Sequence, residues 1–248
     1  MTHSTIGPND VSKGLIDQIL ARSARITGVQ LPVGFVRSQS PPPALVRMIQ
    51  GGKGGEVRLK LYLTVTLLST RKPHSVTRPI TNRTWAELIG LPKPDTNGSR
   101  RISDSFLWLG ENQYLEVERK RGATTQTKLL SPLGDGTPYI RPSSNYVSLP
   151  LGFWREQWIT ELSAVAVALL IILLNHSGAA RRVANQPISS SHKREYGLSP
   201  DSWTRGSKEL QSHGLIEVSR TTRGNGLETI RSRNSYSVIY DRLNGPVI

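Results

Sequence analysis

Residues that could do chemistry are scattered along this chain and form no recognised catalytic or metal-binding motif. Its histidines are His3, His74, His176, His192 and His213. They make neither HExxH nor His-x-His, which argues against a zincin site and against the two-histidine metal centre of rolling-circle nucleases. The carboxylates lack the paired positions that acid–base catalysis needs, and the absence of cysteine excludes disulfides and thiolate chemistry. We therefore predict a binding protein, not an enzyme, with no catalytic residues, no metal and no cofactor.

Two short patterns come close to functional motifs but fail on spacing. Residues 51–55, GGKGG, lack the Ser or Thr that follows Lys in a P-loop, so they indicate a flexible linker. The stretch His192-Lys193-Arg194 does not have the His-x-x-Arg spacing expected of tyrosine recombinases. No small-molecule ligand is therefore expected.

The charge of the chain points to a polyanionic partner. Lys and Arg number 32 against 18 Asp and Glu, a formal net charge of +14, and the isoelectric point is near 10.5. A surface of this sign attracts nucleic acid, which is the leading partner. An anionic membrane surface is the second partner that such a charge would attract.

One apolar run raises the question of a membrane. Residues 164–174, AVAVALLIILL, continue a predicted helix over Trp158 to Asn175 that carries Glu161 in its first turns. Spanning a bilayer takes about 20 predominantly apolar residues, so we predict a buried core helix and no membrane partner. The N-terminal residues lack the apolar core and cleavage site of a signal peptide, which favours the cytoplasm.

A repeat divides the chain into two copies. VQLPVGF at residues 29–35 returns as VSLPLGF at residues 147–153. A duplication should give further matches in the same order, and these follow. Pro79-Ile80-Thr81 matches Pro187-Ile188-Ser189, Gly90-Leu91 matches Gly197-Leu198, and the stretch 109–117 matches 210–218. The offsets change only across loops and helix ends, where insertions are tolerated.

The two copies predict the same series of elements. The first has helices at 57–69, 84–89 and 99–112, a short strand at 79–81, and a hairpin from strands at 114–118 and 125–131. The second has a helix at 158–175, a strand at 188, helices after Ser191 and after Ser199, and a hairpin from strands at 215–220 and 235–240. Thr84-x-x-Glu87 is read as a capping box, and Ser199 followed by Pro200 as a helix start.

This order of elements resembles the winged helix-turn-helix superfamily in both copies, over residues 56–132 and 147–241. The order itself and the [YL][LI]EV strand after the third helix carry the resemblance. It implies an α+β fold of two tandem winged helix-turn-helix domains forming a pseudo-dimer, similar to plasmid replication initiators and two-domain winged-helix transcription regulators. The expected division is an N-terminal helical extension and linker at 1–55, winged-helix domain 1 at 56–133, a linker at 134–146, winged-helix domain 2 at 147–241 and a tail at 242–248.

The third helix of each copy is the candidate recognition helix. Ile102, Phe106 and Leu109 recur at helical spacing, as do Trp203, Ser207 and Leu210, and both sets are expected to face the core. The opposite faces carry the residues expected to contact bases in the major groove: Arg100, Arg101, Ser103, Asp104, Ser202, Thr204, Arg205 and Lys208. The hairpin tips supply residues suited to phosphate or minor-groove contact: Lys120, Arg121, Thr124, Arg220, Arg223, Arg231 and Arg233.

Sequence-specific binding of double-stranded DNA, in transcriptional regulation, is the function that this pattern favours. Initiation of replication for a plasmid or mobile element stays open, as does a winged-helix adaptor that binds protein or a protein anchored to a membrane by residues 164–174. Leu107 and Trp108 are apolar for a recognition face, so part of that helix could serve an interface. Homo-oligomerisation and the direct or inverted order of two half-sites are also left open.

Overall fold

A computed structural model of the chain describes residues 8–51, 54–119, 123–177, 186–223 and 231–245. It is a mixed α+β structure. The helices are α1 (Pro8–Ser23), α2 (Val33–Val36), α3 (Ala44–Ile49), α4 (Gly54–Leu68), α5 (Asn82–Leu88), α6 (Ser99–Glu111), α7 (Gly152–Arg155), α8 (Trp158–Glu161), α9 (Ala164–Ser177), α10 (Ser190–Tyr196), α11 (Pro200–Ser212) and α12 (Tyr240–Asn244), with a π-helix at Pro94–Gly98. The strands are β1 (Val29–Pro32), β2 (Leu115–Glu118), β3 (Gln126–Leu129), β4 (Tyr146–Leu149), β5 (Gln186–Pro187), β6 (Ile216–Arg223) and β7 (Arg231–Val238).

Across the described residues, the strands form three small antiparallel sheets. One pairs β1 with β4, a second pairs β2 with β3, and a third has the order β5-β7-β6. The β2–β3 hairpin follows α6, and the longer β6–β7 hairpin follows α11. Each candidate recognition helix therefore leads directly into a two-stranded ribbon.

Two apolar helices lie at the centre of the molecule. Residues 164–174 are almost all buried in α9, and most of α4 is buried as well. A helix that is apolar all round must be covered on every side, and α4 and α9 achieve this by packing on each other and on the surrounding elements. The buried side chains of both copies join one hydrophobic cluster. Within the described ranges, no helix has the length and apolar character needed to cross a bilayer.

The helix predicted over residues 158–175 is wrong as a continuous element. It is broken at Leu162, whose backbone is extended (φ −79°, ψ 142°), so that α8 ends at Glu161 and α9 begins at Ala164. The Ser163 hydroxyl accepts a hydrogen bond from the Ala166 amide at 3.2 Å. Ser163 thus caps α9, which begins where the apolar run begins.

The short strand predicted at residues 79–81 is also wrong, and so is the cap of the following helix. Residues 79–81 form no strand, and Thr81, not Thr84, is the N-cap of α5, accepting from the Thr84 amide at 3.1 Å. In the second copy β5 does form and pairs with Ser235 and Tyr236 of β7, whereas in the first copy Ser75 makes an isolated bridge to Lys128 of β3. The strand predicted at residues 125–131 is shorter than expected, since β3 has four residues, Gln126–Leu129.

The two repeated LP[VL]GF stretches pair with each other. The first supplies β1 and α2, the second supplies β4 and α7, and the two strands form an antiparallel ladder. Phe35 and Phe153 are fully buried, so each phenylalanine anchors the bend after its strand. Residues 29–36 are therefore joined by strand pairing to the start of the second copy.

Candidate nucleic-acid interface

Helix α6 is held by one buried face. Ile102, Phe106 and Leu109 have no exposed surface, which confirms the helical spacing. The Phe106 ring meets Trp85 of α5 edge-on, with ring centroids 5.9 Å apart, and α6 also packs on α4. Packing on this face fixes which side chains α6 presents outward.

The outer face of α6 carries the residues assigned to base contact. Arg100 and Asp104 are exposed, whereas Arg101 and Ser103 are half-buried. Arg83 and Asp95, beside the start of α6, form an ion pair at 2.8 Å. The α6 face therefore presents mixed charge, with Arg100 as its exposed cation.

The two apolar residues on the outer side of α6, Leu107 and Trp108, lie in different environments. Trp108 is half-buried: it stacks on Tyr114, with ring centroids 5.9 Å apart, and the Arg58 guanidinium lies 4.4 Å from the centre of its ring. Leu107 is 49% exposed. Trp108 is thus covered within the chain, and Leu107 is an exposed apolar side chain of α6.

The hairpin β2–β3 is tied to α6 by the side chain of Arg119, which donates to the Ser103 carbonyl. Lys128 and Glu116 face each other across the strands at 2.8 Å. Thr124, a predicted tip residue, is half-buried. Two other predicted tip residues, Lys120 and Arg121, lie outside the described residues.

Helix α11 begins as its sequence predicts. The Ser199 hydroxyl accepts from the Ser202 amide at 3.2 Å, and Pro200 is the first helical residue. Trp203 and Leu210 are buried, and the Trp203 indole donates to the Tyr236 hydroxyl of β7 at 2.9 Å. The helix is therefore anchored both to α9 and to its own hairpin.

The outer face of α11 carries two exposed cations, Arg205 and Lys208. Thr204, Arg205 and Lys208 are exposed, and Ser202 is half-buried. The Thr204 hydroxyl donates to the Pro200 carbonyl at 2.9 Å, and the Ser202 hydroxyl accepts from Ser199 at 3.0 Å. The serine and threonine hydroxyls thus bond locally, while Arg205 and Lys208 project charge into solvent.

The hairpin β6–β7 is twice as long as β2–β3, with eight paired positions against four. Arg220 is exposed and sits opposite Asn234. Arg223, Arg231 and Arg233 belong to the two strands, but their side chains lie outside the described part of the chain. The backbone register alone brings these arginines to the far end of one ribbon.

A cleft between the two copies contains residues that the sequence interpretation overlooked. It has a volume of about 470 Å³ and is lined by Arg101 of α6 and Glu209 of α11, together with Glu56, Lys60 and Glu161. Glu56 and Lys60 form an ion pair at 3.0 Å. The beginning of α6 and the end of α11 therefore share one charged cleft.

The Glu209 carboxylate completes the start of α9. It accepts from the amide and from the hydroxyl of Ser163, both at 2.6 Å, and Glu56 accepts from the Ala164 amide at 3.4 Å. Carboxylates are favourable at a helix N-terminus, where free amides and the helix dipole attract negative charge. Ser163 before an apolar run was the available signal, but nothing local marked Glu209.

A second overlooked residue is Lys193 of α10. Its ammonium lies 4.7 Å from the centre of the Trp203 ring and 5.9 Å from that of Tyr236. It therefore covers the aromatic pair that joins α11 to β7, in a cation–π contact. Lys193 is half-buried, whereas the neighbouring Arg194 is exposed.

The described ranges contain no group of three or more His, Asp and Glu side chains that could hold a metal ion. Comparison with protein-family models, with curated proteins and with solved structures finds no match for this chain.

Proposed function

We propose that this chain binds double-stranded DNA sequence-specifically through two winged-helix units and acts as a transcriptional regulator. The first unit runs from α4 to β3 and the second from α9 to β7. The observation that carries the proposal is a repeated arrangement: each third helix buries its apolar face and exposes a polar, arginine-bearing face next to a hairpin. A helix presented in this way fits the major groove.

Charge supports the same partner. The chain carries +14 overall, and Arg100, Arg205 and Lys208 are exposed on the two helices proposed to enter the groove. Arg220 adds an exposed cation at the second hairpin. In such a complex the cations would contact phosphates and guanine edges, and the acidic Asp104 would accept from cytosine.

The first experiment is binding to duplexes selected from a random pool, followed by a titration of salt. We expect enrichment of one sequence and an affinity that falls steeply as the salt concentration rises, because bound cations release counterions from the DNA. Absence of any salt-dependent binding would refute the proposal.

The second experiment uses a triple variant, Arg100→Ala, Arg205→Ala and Lys208→Ala. Loss of three contacts should weaken specific binding by at least about 100-fold and should reduce the slope of log affinity against log salt by up to about 2.7. A charge-matched control replaces Lys13, Arg141 and Arg155 by alanine. These residues are exposed and lie on none of the proposed helices or hairpins. If the control loses affinity as much as the triple variant, the charge acts without regard to position and the helix faces are not the site.

A further inference from the structure

The β1–β4 ladder is symmetric under exchange of the two copies. The repeat aligns Val29 with Val147 and Leu31 with Leu149, and the ladder pairs Val29 with Leu149 and Leu31 with Val147. Exchanging the two copies therefore turns the pair Val29–Leu149 into the pair Val147–Leu31, which the ladder also contains. The central pair, Gln30 opposite Ser148, consists of two equivalent residues, so a pseudo-two-fold axis passes between them.

A second contact between the copies is reciprocal in the same way. A Cβ atom added to Gly90 would lie 2.9 Å from the Cβ of Thr160, and one added to Gly197 would lie 3.1 Å from the Cα of Pro42. Gly90 is the equivalent of Gly197 in the repeat, and each of them meets the segment between the LP[VL]GF stretch and the central helix of the opposite copy. Contacts that recur in both directions define an isologous interface.

The central helices obey the same symmetry. Helix α4 packs on its equivalent α9, α2 packs on α9, and α7 meets α4 through the Trp154 indole, which donates to the Thr64 hydroxyl at 3.3 Å. Because α6 packs on α4 as α11 packs on α9, the axis that relates the central helices also relates α6 to α11.

Resting on the DNA-binding function proposed above, we propose that the target is an inverted arrangement of two half-sites on one duplex, read simultaneously by α6 and α11. A two-fold axis in the protein coincides with a dyad of the DNA, and that dyad reverses the direction in which the second half-site is read. Two copies related by a translation would instead read a direct repeat.

The two half-sites should differ in sequence although they are inverted in geometry. At matching positions α6 has Arg100, Arg101, Ser103 and Asp104, whereas α11 has Asp201, Ser202, Thr204 and Arg205. Each pair differs in charge or in side-chain size, so the two helices recognise different bases. The sequence of the natural DNA target is therefore not expected to be palindromic, although its two half-sites are inverted.

The test makes the two helix faces identical. In one variant α11 receives the face of α6: Asp201→Arg, Ser202→Arg, Thr204→Ser, Arg205→Asp and Lys208→Leu. A reciprocal variant gives α6 the face of α11: Arg100→Asp, Arg101→Ser, Ser103→Thr, Asp104→Arg and Leu107→Lys. Each full-length variant is used to select duplexes from a random pool, and thermal unfolding identifies any variant that does not fold.

We expect each folded variant to enrich two copies of one half-site in inverted order. In competition, the inverted probe should bind at least about 100-fold more tightly than a probe with the same half-sites in direct order. Enrichment of a direct repeat, or of a single half-site, would overturn the inverted arrangement and leave DNA binding intact. Failure of the unmodified protein to enrich any sequence would instead overturn the proposed function.

Discussion

At the scale of single residues, two glycines allow the copies of the repeat to touch. Gly90 and Gly197 both have a left-handed backbone, with φ of 74° and 66°. Both also face the other copy at a distance that leaves no room for a side chain without a shift of the neighbouring residue. They combine a conformation that favours glycine with a contact that requires it.

The contact at Gly197 can be separated from its backbone strain by comparison with Gly214. Gly214 has nearly the same φ, 69°, but no atom within 4 Å of an added Cβ. Gly214→Ala should cost about 1 kcal/mol in the free energy of unfolding through strain alone. Gly197→Ala should cost about 1–3 kcal/mol more, because its methyl group meets Pro42. Unfolding in urea measures both, and equal losses would show that the contact carries no weight.

Buried tyrosine side chains make the stability of the fold depend on pH. Burial raises the pKa of Tyr62, Tyr114, Tyr139 and Tyr196 above the usual value. In the unfolded chain these phenols ionise near pH 10, whereas the folded chain keeps their protons. Unfolding then releases protons, so stability is complete below about pH 10 and falls as the pH rises beyond it.

Alkaline titration followed by tyrosinate absorbance checks this expectation. A fraction of the tyrosines should ionise only together with loss of the circular dichroism signal, and Tyr196→Phe should make the fall in stability above pH 10 less steep. Complete ionisation of all seven tyrosines near pH 10, with the fold intact, would contradict the burial of these phenols.

At the scale of elements, the beginning of α9 is the clearest case of long-range capping. Its serine cap is itself held by Glu209 from α11, 46 residues further along the chain. A hydrogen-bonded carboxylate at a helix N-terminus stabilises the free amides and the helix dipole together. The bond also fixes α11 relative to the core helix on which it packs.

Removal of this carboxylate should therefore destabilise the fold. We expect Glu209→Ala to lower the free energy of unfolding by about 1–3 kcal/mol, because two donors of Ser163 lose a charged partner. The control is Glu217→Ala, at an exposed position of β6, which should change stability by less than about 0.5 kcal/mol. Thermal or urea unfolding provides the measurement, and a similar small effect for both variants would argue against the cap.

Elements with local signals were predictable from the sequence, and elements that depend on distant partners were not. The helix predicted at residues 99–112 is observed as Ser99–Glu111, and the start at Pro200 is confirmed, because the apolar spacing of α6 and the Ser199 cap of α11 are encoded nearby. The break at Leu162 was missed because the carboxylate that holds the Ser163 cap, that of Glu209, belongs to a distant helix. The β1–β4 ladder joins residues more than 110 positions apart, and no local pattern contains that register.

The candidate site likewise has features that local sequence patterns predict and features that depend on distant residues. The buried faces of α6 and α11, and hence the residues left outside, follow from helical spacing. Coverage of Trp108 by Arg58 and the shared cleft of Arg101 and Glu209 depend on tertiary packing. DNA contact by the predicted residues stays a prediction until binding is measured.

At the scale of the whole molecule, the strand pairing between the copies has a consequence for synthesis on the ribosome. In the described part of the chain β1 pairs with β4 alone, so the backbone hydrogen-bonding groups of β1 have no strand partner until Leu149 has been synthesised. Chains fold progressively as they are made, and an unpaired strand edge is a site of mispairing. The first copy is therefore complete only after the second has begun, and a nascent chain that pauses between residues 129 and 146 is expected to be the species most exposed to aggregation.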